Sequence, residues 1–275
     1  MISSGIQGIT LIDRWLLIYG VLLLRYIIFA GILFLIFYVW KKRDLLYKKI
    51  QNQFPEPKRI WFEIKYSLAT FAVFATMACL NFWLTKQGYT QIYSDIAEHG
   101  WGYFVFSLVA LIFIHDTYFY WAHRFMHLPG VFEKVHKVHH RSNNPTPFAA
   151  FSFHPIEAVI EFGVIFIVSF LFPIHRFVIL AFALFMIANN VIGHLGFELY
   201  PKGFTRNKLT FWLNTSTNHN MHHKFVNCNY GLYFNIWDKL MATNHKKYHD
   251  TFDEVAGRKR IVAAATENDK QLATA

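Results

Sequence analysis

Charged residues are scarce in this 275-residue sequence: Asp, Glu, Lys and Arg make up 16% of it, against about 25% in soluble globular domains. The chain has only two cysteines, and its 14 glycines and 8 prolines follow no period. These deficits exclude a disulfide scaffold, a collagen-like repeat and a disordered chain. Hydrophobic residues reach 54%, with 30 Phe and 8 Trp. This composition predicts a protein that lies in a membrane.

Long apolar stretches predict an all-α, polytopic membrane protein with three spans and a helical hairpin. A helix needs about 20 apolar residues to cross a hydrocarbon core of about 30 Å. Residues 15–40, 66–84 and 101–121 meet this requirement. A fourth apolar block, residues 158–192, is interrupted by Pro173-Ile174-His175-Arg176, so we expect it to reach the far interface and return. Arg25, inside the first stretch, is expected to snorkel or to face a neighbouring helix.

The distribution of basic residues predicts the orientation of the chain. Residues 41–65 carry eight Lys or Arg against three acidic residues, whereas residues 86–100 carry one Lys against two. By the positive-inside rule the first loop is cytoplasmic and the second lies outside. The third span then returns to the cytoplasm near His123. The net charge of +10 is therefore a topology signal, and because it flanks membrane segments we expect no nucleic-acid partner.

Histidine is unusually frequent, with 15 residues, and eight of them fall into three short motifs. On a helix, residues i and i+4 differ by about 40°, and residues i and i+3 by about 60° in the other direction. One helix with an HxxHH motif can therefore offer imidazoles to two neighbouring metal ions. The motifs are His123-x-x-x-His127, His136-x-x-His139-His140 and His219-x-x-His222-His223.

The number of clustered histidines favours metal binding over a structural role. A single buried histidine is usually a hydrogen-bonded core residue, and we discount His245 and His249 in the polar C-terminal segment. Three clusters on one predicted membrane face, with His194 nearby in sequence, are difficult to explain in that way. Imidazole suits Zn, Cu, Fe and Ni, and this many ligands exceed the needs of one four-coordinate zinc. Two redox-active metals beside apolar walls indicate oxygen activation directed at an inert C–H bond.

Taken together, the motifs resemble the fatty acid hydroxylase/sterol desaturase superfamily of membrane di-iron enzymes. The resemblance covers residues 115–243, with one departure at Ala242, where the family often has glycine before the threonine. Its motifs follow the order of the family: His115-Asp116, His123 to His127, His136 to His140, Pro145-Thr146-Pro147, His154-Pro155-Ile156-Glu157, Gly193 to Glu198, His219 to His223, Asn229-Tyr230-Gly231 and Trp237-Asp238.

The resemblance implies a set of metal ligands for two iron ions. His115, eight residues before His123, is either a tenth ligand or a hydrogen-bond partner of the cluster. Asn190 stands where related hydroxylases with four clusters have another histidine, which would leave one metal with an open position. The nine implied ligands are His123, His127, His136, His139, His140, His194, His219, His222 and His223.

Residues next to these motifs are candidates for supporting the ligands. Ligating imidazoles usually donate their other N–H group to a carboxylate or a carbonyl, which makes Asp116, Glu157 and Glu198 candidates together with Asn190. Glu198, like Asp238, could instead pair with Arg or Lys at the membrane interface. His154 precedes Pro155, and we expect it to anchor an extended turn.

The resemblance implies O2-dependent hydroxylation or desaturation of a lipid that enters from the bilayer. The lipid could be a sterol, a fatty acyl chain, a sphingoid base, a carotenoid or an ether lipid. No flavin fingerprint or iron–sulfur cysteine set is present, so a separate ferredoxin, cytochrome or reductase is expected to deliver electrons. The basic cytoplasmic face suits an acidic carrier. The membrane would be the bacterial inner membrane or the endoplasmic reticulum.

Two other classes of protein also use histidine ligands. A metal-ion transporter would use the histidine clusters as binding sites, but it should carry ionisable residues near the middle of several spans. A haem-bearing electron-transfer subunit needs one or two axial histidines per haem, which leaves two HxxHH motifs without a role. Because the clusters lie at the ends of spans, the sequence favours the oxidase.

The composition also suggests how the chain is divided. Residues 1–100 are predicted to hold the N-terminal spans and the basic loop, and residues 101–243 the hydroxylase-like catalytic domain with the histidine clusters in a cytoplasmic helical cap. Residues 244–275 form a polar tail without apolar periodicity, expected to be partly disordered.

Overall fold

The computed structural model describes residues 10–259, and helices dominate it. Helix α1 covers Leu11–Trp40, with wide π-helical turns at Ile27–Gly31 and Leu35–Trp40. It begins with a capping box, in which the Thr10 side chain accepts from the Asp13 amide and so satisfies a free N–H of the first turn. Helix α2, Pro57–Lys86, starts with proline in its first turn, where no N–H bond is lost. The two helices pack side by side.

The predicted hairpin is present. Helix α3 is Gly100–Met126, helix α5 is Pro155–Leu171 and helix α6 is Arg176–Gly193. Between α5 and α6, strand β2 (Ile174–His175) pairs in parallel with strand β1 (Ile92–Tyr93), which lies in the loop between α2 and α3. The turn of the hairpin therefore lies at the same end of the molecule as that loop.

The opposite end carries a cap of short elements that hold the histidine motifs. The basic loop after α1 joins this cap, because the Ile50 amide donates to the Gly196 carbonyl at 3.1 Å. The predicted all-α fold with a helical cap is thus confirmed. The elements of the cap are the turn Phe132–His136 leading into α4 (Lys137–His140), the 3-10 turns Pro147–Phe151 and Phe204–Arg206, α7 (Ser216–Phe225), α8 (Ile236–Leu240) and α9 (Tyr248–Gly257).

Helix α9 corrects the expectation for the polar tail. Tyr248, Phe252 and Val255 are buried there, at spacings of four and three that put them on one helix face. Tyr248 and Phe252 pack against Met221 of α7. The apolar period was hidden because the intervening residues are polar, and only contact with α7 reveals it. Residues 260–275 lie outside the described part, and the three-part division of the chain stays a prediction.

The outer surface of the helical body is apolar. Four helices, α1, α2, α3 and α6, are long and apolar enough to cross a membrane, and α5 completes the hairpin with α6. Large hydrophobic side chains on these helices face outward, among them Leu17, Phe106 and Leu180. Such a surface is the pattern expected of helices surrounded by lipid. The structure therefore supports an integral membrane protein with its histidine motifs at one end.

Candidate metal centre

The histidine motifs converge in two groups of imidazoles inside the cap. Within each group the ligating nitrogens lie within 4.8 Å of one another. Together the two groups contain the nine histidines selected from the sequence, although their role as ligands stays a prediction. Site A consists of His123, His127, His136, His140 and His222, and site B of His139, His194, His219 and His223.

Each HxxHH motif is divided between the two sites, as helix geometry predicts. In the first motif, His136 and His140 belong to site A and His139 to site B. In the second motif the division is reversed, because His222 belongs to site A while the flanking pair belongs to site B. Residues i and i+4 thus share a site, and residue i+3 points to the neighbouring one. The two helices therefore tie the two sites together.

The hydrogen bonds made by Nδ1 of His123 and His222 show that the other ring nitrogen, Nε2, is an acceptor. The Nδ1 atom of His123 lies 2.8 Å from the Tyr230 carbonyl oxygen, and that of His222 lies 2.7 Å from the Cys228 carbonyl oxygen. A carbonyl can only accept, so Nδ1 carries the proton. In a neutral imidazole the other nitrogen, Nε2, then presents a lone pair. These lone pairs point into site A.

At site B the tautomer of His194 is fixed in the same way. The His194 Nδ1 donates to the Asn190 carbonyl oxygen at 2.8 Å, which leaves its Nε2 as an acceptor. That Nε2 lies 2.9 Å from His219 Nε2, 3.2 Å from His223 Nε2 and 3.3 Å from His139 Nε2. At site A, His123 Nε2 lies 3.0 Å from His136 Nε2.

These separations fit metal ligation. Metal–imidazole bonds of about 2.0–2.1 Å at angles of about 90–110° place adjacent ligand nitrogens about 3 Å apart. Without a cation, lone pairs at this separation would repel one another in a buried, weakly screened environment. Each site therefore has the donor type, the spacing and the electrostatic requirement of a transition-metal site.

Burial keeps the imidazoles of the cap in the form that binds metal. For His139, His219 and His223, burial first and the neighbouring imidazoles second lower the pKa well below 6.5. Imidazolium cannot ligate, and several of them in one buried group would repel each other. The histidines are thus neutral at physiological pH and available as ligands.

Glu157 and Asn190 support the imidazoles directly. The Glu157 carboxylate lies 2.7 Å from the Nδ1 of His136, and both side chains are buried. Asn190 acts through its backbone carbonyl on His194, while its side-chain amide donates to the Ala150 carbonyl at 2.7 Å. Such contacts fix the ring orientation and the tautomer of a ligating histidine.

Asp116 and Glu198 act on the backbone instead of on imidazoles. Asp116 accepts from the amides of Tyr233 and Phe234 at 2.8 and 3.2 Å. Glu198 accepts from the amide and the hydroxyl of Thr217 at 3.0 and 2.7 Å, in the first turn of α7. Neither carboxylate forms an ion pair within residues 10–259. Asp116 instead holds the loop at Tyr233, and Glu198 holds the first turn of α7, the helix that carries the second HxxHH motif.

Sequence reasoning missed the loop that orients His123 and His222. Their acceptors are the carbonyls of Tyr230 and Cys228, which no side-chain motif reveals. Asp238 holds this loop, because its carboxylate accepts from the amides of Tyr230 and Gly231 at 2.9 and 2.7 Å. The Asn229-Tyr230-Gly231 and Trp237-Asp238 motifs were the only sign of this contact in the sequence. In the structure the two motifs are hydrogen-bonded to each other, and we call this contact the clamp.

Three further expectations can be compared with the structure. His115 is buried but lies in neither site, and its Nδ1 has no hydrogen-bond partner. It lines a cavity between the helices instead. His154 caps α5 by accepting from the Ile156 amide at 3.3 Å, the turn-anchoring role expected of it. Ala242 adopts a φ of 54°, the left-handed region that favours glycine.

The cavity beneath the two sites measures about 430 Å³. Phe153 and Asn190 line its upper end, and the Phe153 ring lies 5.2 Å from the ring of His139 between centroids. At its lower end the cavity reaches Arg176, the first residue of α6. The 14 steps from Arg176 to Asn190 rise about 21 Å along the helix. The cavity is therefore long, and most of its wall is apolar.

The fold and the two imidazole groups define a helical, multi-pass membrane protein with a buried, histidine-rich site at one end. Comparison with known proteins identifies the class further: residues 108–243 match the fatty acid hydroxylase family model, and this part of the chain is a fatty acid hydroxylase domain. The resemblance seen in the motifs is confirmed. No solved structure matches the chain.

Curated relatives of this chain include sterol-modifying enzymes. Human lathosterol oxidase is 32% identical over 180 residues, which cover 65% of this chain and 58% of that protein. The Delta(7)-sterol 5(6)-desaturase of Leptosphaeria maculans is 31% identical over 249 residues, 90% of this chain and 64% of that protein. The chain thus spans about three fifths of the length of these relatives.

Replacement of Gly231 by alanine should weaken both the clamp and site A. An added Cβ would lie 2.4 Å from the Phe234 carbonyl oxygen and 2.9 Å from the Asp238 carboxylate, so the loop must shift. We expect Gly231→Ala to lose roughly 1–3 kcal/mol of stability and part of the bound metal. Thermal unfolding in detergent and metal analysis would measure these effects.

Gly102→Ala is the matched control, because a Cβ at Gly102 meets no atom within 4 Å. It should leave the metal content unchanged and should not lower the stability, because alanine favours the helix more than glycine does. Wild-type values for Gly231→Ala would show that the loop adapts and does not position His123.

Proposed function

We propose that this protein is a membrane oxidoreductase that hydroxylates or desaturates a lipid with molecular oxygen and two iron ions. One observation carries the proposal: two adjacent groups of inward-facing imidazoles lie at the end of a long apolar cavity between membrane helices. The family match and the sterol-modifying relatives support the same chemistry.

The residues present fit two irons. Site A supplies five imidazoles and site B four, with Asn190 one helical turn before His194 where a fifth donor of site B would stand. Fatty acid hydroxylases are an iron-using family, and imidazole is a suitable iron ligand. When bound, the two irons would supply the redox chemistry that activates oxygen and breaks a C–H bond.

The residues of the chain bind and orient the substrate and exclude water. A cavity about 21 Å long matches an extended acyl chain or a sterol. Its wall of Phe, Ile and Met side chains keeps water away from the reacting carbon. Both sites border this cavity, site B through Phe153 and His139 and site A through Phe119 and His123. The lipid carbon to be oxidised would therefore lie beneath the two sites.

The opposite surface of the cap is suited to an electron donor. This separate protein, a ferredoxin, cytochrome or reductase, would need a docking surface near the two sites. Lysine and arginine side chains are exposed around the metal motifs, and they favour an acidic partner by electrostatic complementarity. The exposed basic residues are Lys134, Lys137, Arg141, Lys224, Lys246 and Lys247.

A metal-ion transporter is less well supported. A transporter holds its ion near the middle of the membrane and exposes it to each side in turn. Here both sites lie in the cap, at the end opposite the β1–β2 pair, and two helices shared between the sites hold them rigidly. The enzyme explains both this position and the cavity.

Loss of one imidazole should remove metal from one site and leave the other in place. We expect wild-type protein purified after iron loading to bind about two ions per chain, and His222→Ala or His219→Ala about one fewer. Metal analysis of purified protein measures this, and His99→Ala, which changes an exposed histidine outside both sites, is the control. One ion or none in the wild type would contradict the dinuclear centre.

The reaction type can be determined from the mass of the product. Lipids from a host that expresses the wild-type protein should contain a species about 16 mass units heavier for hydroxylation, or about two lighter for desaturation. The species should disappear with His139→Ala and His222→Ala, which remove one ligand from each site. A product that persists in both variants would contradict the proposed role of the two sites.

We further propose that the cap faces the cytoplasm, because the basic loop after α1 belongs to the same end. Single cysteines at Gln87 and Lys246, in a background with Cys79 and Cys228 replaced by alanine, test this orientation. An impermeant maleimide should label position 87 in intact cells and position 246 only after lysis. Labelling in the reverse order would place the cap outside.

A further inference from the structure

The aromatic rings that line the cavity are of the kind that resists oxidation. Within residues 10–259 the wall contains seven Phe side chains and no Tyr or Trp, although the chain has 14 Tyr and 8 Trp. Tyrosine and tryptophan lose a single electron far more easily than phenylalanine, because their heteroatoms stabilise the radical that remains. The space that would hold a lipid is therefore kept free of easily oxidised rings.

One easily oxidised ring nevertheless contacts the ligands of site A. The ring centroid of Tyr230 lies 5.1 Å from that of His127 and 5.7 Å from those of His123 and His222. Apart from imidazoles, the other rings against the nine ligands within residues 10–259 belong to phenylalanine. Tyr230 does not line the cavity. It is thus the single tyrosine or tryptophan of the described residues that touches the centre.

From Tyr230 a series of rings leads to the surface. The centroid of Tyr120 lies 6.2 Å from that of Tyr230, and Trp237 stacks on Tyr120 at 6.0 Å. Trp121 lies 5.4 Å from Trp237 and 5.3 Å from Tyr120, and it is 43% exposed. We call these four rings the aromatic chain. Rings at such separations are in contact, so an electron can pass from each to the next.

Hydrogen bonds at Tyr120 offer a place for its phenolic proton, which an oxidised phenol must release. The Thr243 hydroxyl donates to the Asp238 carboxylate at 2.7 Å. In the contact of 3.0 Å between the two hydroxyls, Tyr120 is therefore the donor and Thr243 the acceptor. The hydrogen bonds of Tyr230 within residues 10–259 run through its backbone instead. Tyr230 is thus suited to pass an electron on, and Tyr120 to hold the radical.

The redox properties of the rings decide the direction of transfer. A neutral phenol or indole is not reduced by biological electron carriers, so these rings do not hold electrons on the way to the centre. They do give up an electron to a strong oxidant, and under the proposed function oxygen activation produces one. A site that oxidises C–H bonds must also limit side reactions of that oxidant. The aromatic chain therefore suits the outward passage of oxidising equivalents.

We propose that the aromatic chain carries oxidising equivalents from site A to the surface when oxygen is activated without a lipid in place. A thiol reductant then quenches them at Trp121, and the metal ligands are spared. This inference rests on the proposed function and goes beyond it, because the route serves turnovers that yield no product. The contrast between the phenylalanines of the cavity and the tyrosines and tryptophans that join site A to the surface carries it.

Each step of this route moves one electron. An electron leaves Tyr120 for the centre across the ring of Tyr230, and the phenolic proton moves towards Asp238 along the two hydrogen bonds described above. An electron from Trp121, passed through Trp237, and the return of that proton restore Tyr120. Trp121 releases its indole proton to water and regains a hydrogen atom from the thiol. Two thiyl radicals then couple to a disulfide.

Radical formation in the purified protein tests the inference without a lipid substrate. Iron-loaded wild type in detergent would be reduced anaerobically with dithionite, freed of excess reductant, mixed with oxygen and frozen for electron paramagnetic resonance. A second sample would be digested, and peptide mass spectrometry would locate the residues that have gained oxygen. We expect a tyrosyl signal and oxygen addition at Trp121. Glutathione present during the reaction should suppress the addition at Trp121.

Three variants interrupt the aromatic chain in different ways. Tyr120→Phe keeps a ring but removes the hydroxyl, so it should lose the tyrosyl signal and most of the oxygen addition at Trp121. Thr243→Val keeps all four rings but removes the proton acceptor of Tyr120, so it should lower both readouts. Trp121→Phe should prolong the tyrosyl signal, because the radical no longer reaches the surface. Signals are compared per bound iron, and thermal unfolding shows whether each variant is folded.

Tyr233→Phe is the matched control, because Tyr233 is buried, its hydroxyl has no partner within residues 10–259 and its ring stacks on His115, which belongs to neither site. It should leave both readouts unchanged. An unchanged tyrosyl signal in Tyr120→Phe would overturn the inference. So would oxygen addition at Trp40 equal to that at Trp121, because Trp40 is 70% exposed and outside the aromatic chain, and equal addition indicates a diffusing oxidant.

Failure of the proposed function is distinguishable from failure of the aromatic chain. A wild type that binds two irons and forms a lipid product, but shows neither the radical nor oxygen addition at Trp121, would overturn the chain alone. A wild type that holds no iron and forms no product would refute the oxidation, and the chain with it.

Discussion

The convergence of imidazole lone pairs in a buried space is the constraint on which the rest of this structure depends. Where Nδ1 is bound from behind, as in His123 and His136, the Nε2 lone pairs face one another 3.0 Å apart in a weakly screened interior, an arrangement that a cation between them would stabilise. Each ring also needs an orientation that backbone carbonyls or a carboxylate must fix from behind. The clamp of Asp238 on the loop at Tyr230 and Gly231 meets this need for His123.

The membrane-embedded part of the protein serves this centre by shaping access to it. Helices α5 and α6 carry residues of the metal surroundings at their cap ends and cavity residues further along. A rigid helix therefore couples the position of the lipid to the position of the metals.

Several features of the site were predictable because they follow from local geometry. The division of each HxxHH motif between two sites results from the helical repeat, and Glu157 lies in the motif that the sequence analysis selected. The role of Asp116 was not predictable, since the nearer of the two amides that donate to it, that of Tyr233, is 117 residues away. The helix around Phe252 was missed because its buried face can be recognised only from the contact of Tyr248 and Phe252 with Met221 of α7.

The sequence by itself determined the class of fold, the end of the molecule that carries the histidines and the nine imidazoles that meet. These properties depend on hydrophobic run length, charge distribution and the period of the helix, all of which are local. Only the tertiary structure decided which imidazoles share a site, which carbonyls orient them, and that His115 lines the cavity outside both sites. It also formed the cavity between the helices, because its wall arises from the packing of helices distant in the chain.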